Sequence, residues 1–393
     1  MNEIWSDKQK KQQLVYSYVT FVLNGMLALS IGSLMPLIRD ARGLDYALCG
    51  LLVSLHSVGN FLSSFFAGTF AMLLGRKKSI LIFNAFFAIA FLLIILSDNR
   101  WCLITAFFMT GLARGATSNF CNMTINNLAP GKAGVINGLH AMFSIGAFLF
   151  PILLTVMTAN KAENWLVAGY FMLAMGIVSW LLYLLTPVDE GIIAKKEQKK
   201  STFGFFKEPM FLLCTATLFF YLCVEQGVIG WMVTYFKDTG LLDPALSQMM
   251  ASIQWIMILA GRLTTVGLSG KVKKSTLLRI MGAGLVLFFI ILMTGTTTPQ
   301  IVIGIMGFGY SMAGIYPTTI SFAGKTIQKY PISWSFMLTM ASIGSIVMPS
   351  IIGKIAEVSG IVYGMSSIVA VVIIDMVFIT CLTTYVNRKK IEE

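Results

Sequence analysis

The residues best equipped for chemistry sit inside stretches that are otherwise apolar. From Leu112 to Asn126 the chain reads LARGATSNFCNMTIN. Arg114, Ser118 and Asn122 recur every four residues, Asn126 follows one turn on, and Thr117 and Cys121 lie beside them, so a helix would gather them on one face. Such a face cannot meet lipid. A mid-membrane arginine costs at least ~2.5 kcal/mol on the mildest insertion scale, so it must turn toward water or a paired group. A second set follows from Glu225, with Thr217 and Tyr221 at four-residue spacing before it. A carboxyl group there would hold its proton or a cationic partner, which suits cation coupling, solute hydrogen bonding or a bond to another helix. His140 shares a helical face with Asn137 and Ser144, and can relay protons or serve packing. His56, with Asn60 one turn on, reads the same way. Arg262 lies on the stripe of Gln254 and suits helix packing or gating, while Asp375 reads as structural by default. Asn24, Tyr16, Tyr221, Trp231, Tyr310 and Tyr316 offer amides and flat rings of the kind polar solutes with apolar faces favour.

These residues need a membrane architecture to position them. Hydrophobic residues make up 56% of the chain and charged ones 12%. The mean hydropathy is +0.80, beyond what a solvated domain surface allows. The N-terminal MNEIWSDKQKKQQ is polar and lysine-bearing and lacks a short apolar core followed by small residues, so no cleavable leader is expected. Six cysteines form no CxxC or Cys/His spacing, so neither a metal, another cofactor nor a disulfide is expected. The net charge of +12 is scattered over short loops, which argues for membrane topology rather than a nucleic-acid partner.

Apolar runs of about 20 residues or more place spans near 14–37, 47–74, 79–97, 101–128, 134–158 and 164–185. Residues 186–208 form a lysine-rich connection. Six further spans fall near 209–236, 245–268, 276–294, 300–323, 332–353 and 360–386. The expected fold class is therefore an all-α membrane protein of twelve transmembrane helices in two six-helix pseudo-repeats. Its domains are a bundle over 1–185, a linker over 186–208 and a bundle over 209–393. Lysine and arginine concentrate at both ends of the chain, in the linker and in alternate loops, so both termini are expected in the cytoplasm, across a plasma membrane.

The halves repeat. Lys77-Lys78-Ser79 recurs as Lys273-Lys274-Ser275, 196 residues later, and Gly111 matches Gly307 at the same offset. Ser144-Ile145-Gly146 with Pro151 recurs as Ser342-Ile343-Gly344 with Pro349, at an offset of 198. Parallel repeats of this kind place a binding site between halves near the bilayer midplane.

With this organisation the chain resembles the major facilitator superfamily along nearly its whole length. Asn137-Gly138-Leu139-His140, Gly146-Ala147 and Pro151 in span 5 look like the fucose-permease-like sugar:cation symporters and their sodium-glucose-transporter-like relatives. So do Tyr221, Glu225, Trp231 and Tyr235 in span 7, and Tyr310, Gly314 and Tyr316-Pro317 in span 10. The family turn after span 2 is matched by Gly68, Gly75, Arg76 and Lys77, but Met72 and Leu73 replace its Asp and Arg. That loss weakens the expected charge-relay gate and leaves Arg76 to bond helix carbonyls or a neighbouring helix. The acids that fucose permeases use in spans 1 and 4 align with Gly32 and Gly115, so those coupling residues do not carry over, whereas Asn119 fits an asparagine of the span 4 pattern.

The resulting expectation is a secondary active transporter, not an enzyme, moving a small polar organic solute such as a sugar or sugar derivative by alternating access. Symport with H+ or Na+ by a monomer is the leading form, and anionic solutes stay open because Arg114 could hold a carboxylate. Asn24, Arg114, Asn119, Asn122, Tyr221, Glu225 and Tyr310 are the candidate solute contacts, Glu225 and His140 the coupling residues, and Arg76 and Arg262 the gating ones. A drug or metabolite:proton antiporter is the alternative, disfavoured because Pro151 is followed by Ile152 and Leu153 rather than the Gly-rich ending of that group. No Walker loop, His-Glu-x-x-His or Gly-x-Ser-x-Gly occurs, which speaks against ATP-driven transport and against an embedded hydrolase.

Overall fold

The computed structural model describes residues 7–129, 133–159, 164–188, 203–268, 271–330 and 332–389, and the described residues are almost entirely helical. Six helices come first: α1 (Lys8–Arg42), α2 (Tyr46–Leu74), α3 (Arg76–Leu96), α4 (Arg100–Leu128), α5 (Ala133–Thr158) and α6 (Trp165–Leu185). A 3-10 turn at Phe203–Lys207 leads into α7 (Pro209–Thr239), α8 (Pro244–Leu268) and α9 (Lys274–Met293). The rest are α10 (Thr298–Met312), α11 (Ile315–Lys329), α12 (Ile332–Ser359) and α13 (Ile361–Arg388). Most of the proposed linker, with Lys195, Lys196, Lys199 and Lys200, lies outside the described residues, as do Gly270 and the side chain of Asn137. Two compact units are present, Met1–Leu44 with Leu51–Lys195, and Asp45–Gly50 with Lys196–Glu393.

Local chemistry sets where the helices begin and end. Asp7 caps α1 by accepting from the Gln9 and Lys10 N–H groups at 2.8 and 3.2 Å. Asn99 caps α4 through the Trp101 N–H at 2.8 Å. Pro209 opens α7 where a missing N–H does no harm, and Gly240, at φ 67°, closes it in the left-handed conformation. Gly75, at φ 82°, is the single residue between α2 and α3, and lets the chain reverse without a loop.

Among the described residues, ten segments are long and apolar enough to cross a bilayer, one of them running through α10 into α11. The two long helices that fall short are α4 and α8, the ones carrying Arg114, Ser118, Asn119 and Asn122, and Gln248, Gln254 and Arg262. Twelve spans result, ten plainly apolar and two diluted by polar residues. The tenth departs from the single helix expected over 300–323. It breaks at Ala313–Gly314, where Gly314 lies so close to Met281 and Thr265 that a Cβ would collide with both.

The repeat is visible as packing. In the first unit α1 pairs with α5, and a Cβ on Gly146 would run into the Val22 carbonyl. In the second, α7 pairs with α12, and a Cβ on Gly344 would run into the Phe219 carbonyl. Small residues thus set the closest approach within each pair, as bilayer helices require when they cannot rely on water to drive them together. Prolines follow the same register: in α5 the Pro151 carbonyl accepts from the Thr155 hydroxyl at 2.9 Å, and in α12 the Pro349 carbonyl accepts from the Trp231 indole at 3.0 Å.

At the C-terminal end of α1, Arg42 binds the Ile94 carbonyl and Asp98, the latter at 2.9 Å, and sits 5.2 Å from the Trp165 ring centre. The guanidinium side chain is 5% exposed and Asp98 is 86% exposed, so the carbonyl bond and ring contact should dominate over the solvated ion pair. At the end of α11, Lys329 reaches Glu208 at 2.9 Å, and this hydrogen bond holds its ammonium above the usual lysine range.

Two outcomes follow for thermal unfolding in detergent. Gly146→Val and Gly344→Val lower stability by about 1–3 kcal/mol through overpacking, whereas Gly267→Val, whose Cβ would meet nothing within 4 Å, changes it far less. Asp98→Asn costs under about 1 kcal/mol, while Arg42→Ala costs about 1.5–3 kcal/mol, the range for hydrogen bonds to charged groups; equal losses would refute the ordering.

Candidate functional site

In the first unit, α2 and α4 cross on glycines. A Cβ on Gly59 would strike the Phe108 carbonyl and one on Gly111 the His56 carbonyl, so the two backbones lie against each other. That approach brings His56, 3% exposed, to Arg114 and Thr110. Arg114 Nη1 lies 3.3 Å from His56 Nε2, and His56 Nδ1 lies 2.8 Å from Thr110 Oγ1, which donates to the Phe107 carbonyl at 2.5 Å. A guanidinium can only donate, so Nε2 accepts and the imidazole is the neutral Nδ1–H tautomer, donating to Thr110. The result is a directed chain from Arg114 through His56 and Thr110 to a backbone carbonyl. Arg114 also sits 6.0 Å from the centre of the Phe143 ring on α5, within range of a cation–π contact.

The rest of the α4 ladder bonds to neighbouring helices or to its own backbone. Asn24 on α1, 2% exposed, donates to Ser118 Oγ at 2.9 Å, and its own amide oxygen is buried without a hydrogen-bond partner among the described residues. Asn119 donates to the Ser64 carbonyl at 3.3 Å, and Asn122 to the Ser118 carbonyl of its own helix at 2.8 Å. Thr117 and Cys121, read as neighbours of the ladder, are absorbed into structure. Thr117 accepts from Asn84 at 3.1 Å, and Cys121 lies 3.1 Å from the Tyr183 hydroxyl and 3.4 Å from Thr20. Arg76 reaches Met123 Sδ at 3.3 Å and lines, with Asn119, a void of about 30 Å³, room for little more than water. It also borders a cavity of about 960 Å³ at the end of the unit where α1 begins and α4 ends, lined by Asp7, Lys10, Gln13 and Asn126 among others. His140 is exposed and meets Phe21 edge-on at 5.7 Å between ring centres, a packing contact across α1 and α5.

In the second unit the candidate residues converge on Tyr221, which is 4% exposed on α7. Its ring centre is 6.2 Å from that of Tyr316, at the start of α11. Glu225, Arg262, Asp375 and Tyr316 all lie within electrostatic reach of its hydroxyl. Glu225 is half-buried one turn beyond Tyr221, and Thr217, one turn before, is fully buried. Tyr310 is 38% exposed, and Tyr316 rather than Tyr310 makes the ring contact with Tyr221. The break before Tyr316 turns it onto α7, which a continuous helix over the span would not foretell. His56 was the other residue underweighted by sequence reasoning. Its signal was the glycine pair Gly59 and Gly111, which marks where α2 and α4 touch.

Two units of six apolar spans, each with polar groups gathered inside, define an integral membrane protein built to handle a solute rather than to catalyse a reaction. The chain belongs to the Major Facilitator Superfamily, whose profile matches residues 17–349, and it is a transporter of that family. It is 24% identical over 356 residues to a protein described as a TsgA homolog from Buchnera aphidicola subsp. Baizongia pistaciae, covering 88% of each chain. It is 20% identical over 363 residues to a glucose/mannose transporter, GlcP, of Bacillus subtilis, covering 86% of each. Among solved structures, the nucleoside transporter NupG (D323A mutant) aligns at a TM-score of 0.78 with 15% identity, over 95% of this chain and 99% of that one.

The hydrogen-bond chain predicts a specific mutational pattern. His56→Leu removes the acceptor of a buried guanidinium bond and lowers stability by about 1–3 kcal/mol, while Thr110→Ser, which keeps the hydroxyl, stays near the parent. In a thermal double-mutant cycle, Arg114→Leu combined with His56→Leu costs less than the sum of the single losses; additivity would show that the two side chains act separately.

Proposed function

We propose that this protein is a secondary active transporter that moves a sugar or sugar derivative across the plasma membrane by alternating access, in symport with a cation, with both termini in the cytoplasm. The observation that carries the solute class is Asn24. Its amide nitrogen is engaged by Ser118 while its oxygen, buried near the Arg114 face of α4, has no hydrogen-bond partner among the described residues. A buried acceptor left in this state suits a solute hydroxyl, and a site built to bond hydroxyls rejects analogues that lack them. The Tyr221 and Tyr316 rings offer flat surface for the apolar face of a sugar ring, and Glu225 beside them an acceptor for its hydroxyls. The glucose/mannose transporter among the relatives supports the same class. Arg114 serves as the recognition residue of the first bundle, oriented by His56, and Glu225 as the coupling residue of the second. Asn119, Asn122 and Arg76 brace that surface, Arg262 acts in gating, and His140, exposed on α5, remains a candidate for proton relay. The lysine and arginine bias of alternate loops supports the orientation.

The test is uptake into proteoliposomes of labelled glucose, mannose and a sugar acid such as glucuronate, under imposed proton or sodium gradients. Gradient-dependent accumulation of a sugar is expected. Asn24→Leu is expected to reduce it at least 10-fold, the weight of roughly 1.4 kcal/mol at one hydrogen bond. A preference for glucuronate that vanishes in Arg114→Ala would assign the guanidinium to a carboxylate. Failure of every sugar to enter under either gradient would refute the reading.

A further inference from the structure

Along α13 the residues Met365, Ile368, Val372, Asp375, Ile379, Leu382 and Val386 recur at alternating steps of three and four, the spacing of a helix-packing seam. All seven are at most 1% exposed, and six are apolar. The fourth is an aspartate, at 0%. The seam packs on α7, α9 and α12. Phe378, one turn after Asp375, stacks on Phe220 of α7 at 5.3 Å and 16°. Ile368, two turns before it, lies 3.2 Å from the position a Cβ on Gly227 of α7 would take. Met376 and Ile379 press on Gly282 of α9 in the same way. Asp375 is therefore held by packing on both sides, at the level of Tyr221 and Cys223, both within its electrostatic reach.

Neither carboxylate oxygen of Asp375 has a hydrogen-bond partner among the described residues. The charged groups of the surrounding helices do not supply one. On α9, Arg279 is taken up by Thr383 and Thr384 at 2.7 and 2.9 Å, two turns away along α13, and Lys274 lies further toward the same end. On α12 the titratable residues Lys354 and Glu357 fall in the last two turns. On α13 itself Tyr363, Tyr385 and Arg388 lie near the two ends. On α7 the facing groups are Tyr221 and Cys223, with Glu225 half a turn beyond Cys223.

A structural aspartate inside a membrane bundle is bonded, because an ionised carboxylate without partners is too costly to bury and even a protonated one leaves a polar group stranded. Packing would be served better by leucine, which six equivalent positions on the seam approximate. The same surroundings also disfavour sodium, which needs several oxygen ligands, whereas the neighbouring spans present mainly helix backbone already hydrogen-bonded to itself. We propose that Asp375 is a proton-binding site of the second bundle, loaded in this structure and unloaded once per transport cycle. The inference rests on the cation-coupled reading above and names the proton as the cation. Unloading moves one proton from the Asp375 carboxyl to water on one side of the membrane and leaves a carboxylate; reloading returns one from the other side. Tyr221 of α7, within electrostatic reach of both Asp375 and Glu225, is the group through which water or a proton would approach. This replaces the default structural role expected for Asp375 from its place in the last span.

Infrared difference spectroscopy of the full chain in lipid vesicles, between acidic and alkaline buffer, reads the site without any solute. The carbonyl-stretch band of a buried carboxylic acid is expected to disappear on alkalinisation in the parent and to be absent throughout in Asp375→Asn. It should survive in Glu225→Gln and return, shifted, in Asp375→Glu. Spectra that do not differ between the parent and Asp375→Asn, or a band unmoved by pH, would overturn the proposal. With labelled glucose as probe, Asp375→Asn is expected to bring the inside-to-outside ratio reached under a proton gradient down to that of simple equilibration, with Asp375→Glu restoring accumulation. Undiminished accumulation in Asp375→Asn would overturn it as well. If the parent itself moves no sugar, the solute reading falls, while the infrared result still decides the protonation site.

Discussion

Hydrocarbon offers no hydrogen bonds, and nearly every feature of this protein answers that single constraint. A polar side chain within a span must find its partner in a neighbouring helix, in its own backbone or in a solute. Arg114, Asn119 and Asn122 of the α4 ladder have each done one of these. Asn122 turns back on its own helix and Asn119 crosses to α2. Arg114 finds an imidazole that can only accept at the atom it faces. Even the thiol of Cys121 lies between two hydroxyls. Against this background some buried groups still lack a hydrogen-bond partner among the described residues, several hydroxyls and the Asn24 and Asn84 amide oxygens among them, and Asp375 in the second unit is the carboxylate in that set, with both its oxygens unpartnered.

Close packing follows from the same constraint. Apolar side chains gain little by leaving lipid for one another, so adjoining helices depend on surfaces that let backbones touch. Gly146 against Val22 and Gly344 against Phe219 are the same contact made twice, once per unit, between corresponding helices. The Gly59 and Gly111 crossing does more than join α2 to α4. By removing side-chain bulk at the level of His56 it brings the imidazole within bonding distance of a guanidinium one turn along the facing helix. Backbone proximity and site geometry therefore have one origin.

The sequence made the spans legible because a run of about 20 apolar residues has few other uses. The repeat was legible because glycine and proline at fixed offsets resist accidental recurrence. It also singled out Arg114, Asn24 and Glu225, since a polar group in an apolar run is conspicuous wherever it points. Partners were harder to read. Nothing in the vicinity of His56 in sequence says that Arg114, 58 residues later, is its neighbour. The preference for Tyr310 over Tyr316 assumed an unbroken helix, and a break of two residues redirects everything after it. Asp375 was discounted for its place in the last span, whereas the seven-residue seam that makes it anomalous was already visible in the spacing of Met365, Ile368, Val372, Ile379 and Leu382.

The interruption at Ala313–Gly314 has a mechanical corollary. An intact helix of this length behaves as a stiff rod, so a torque at one end is felt at the other. Here α10 ends with a long 3.4 Å bond from the Ala313 N–H to the Tyr310 carbonyl, and α11 begins its own ladder at Gly314, whose carbonyl accepts from the Thr318 N–H. Two residues thus act as a joint. The half carrying Tyr316 meets Tyr221 while the other half is seated on α9, so a small tilt at the joint would reach the Tyr221 contact without turning the whole rod.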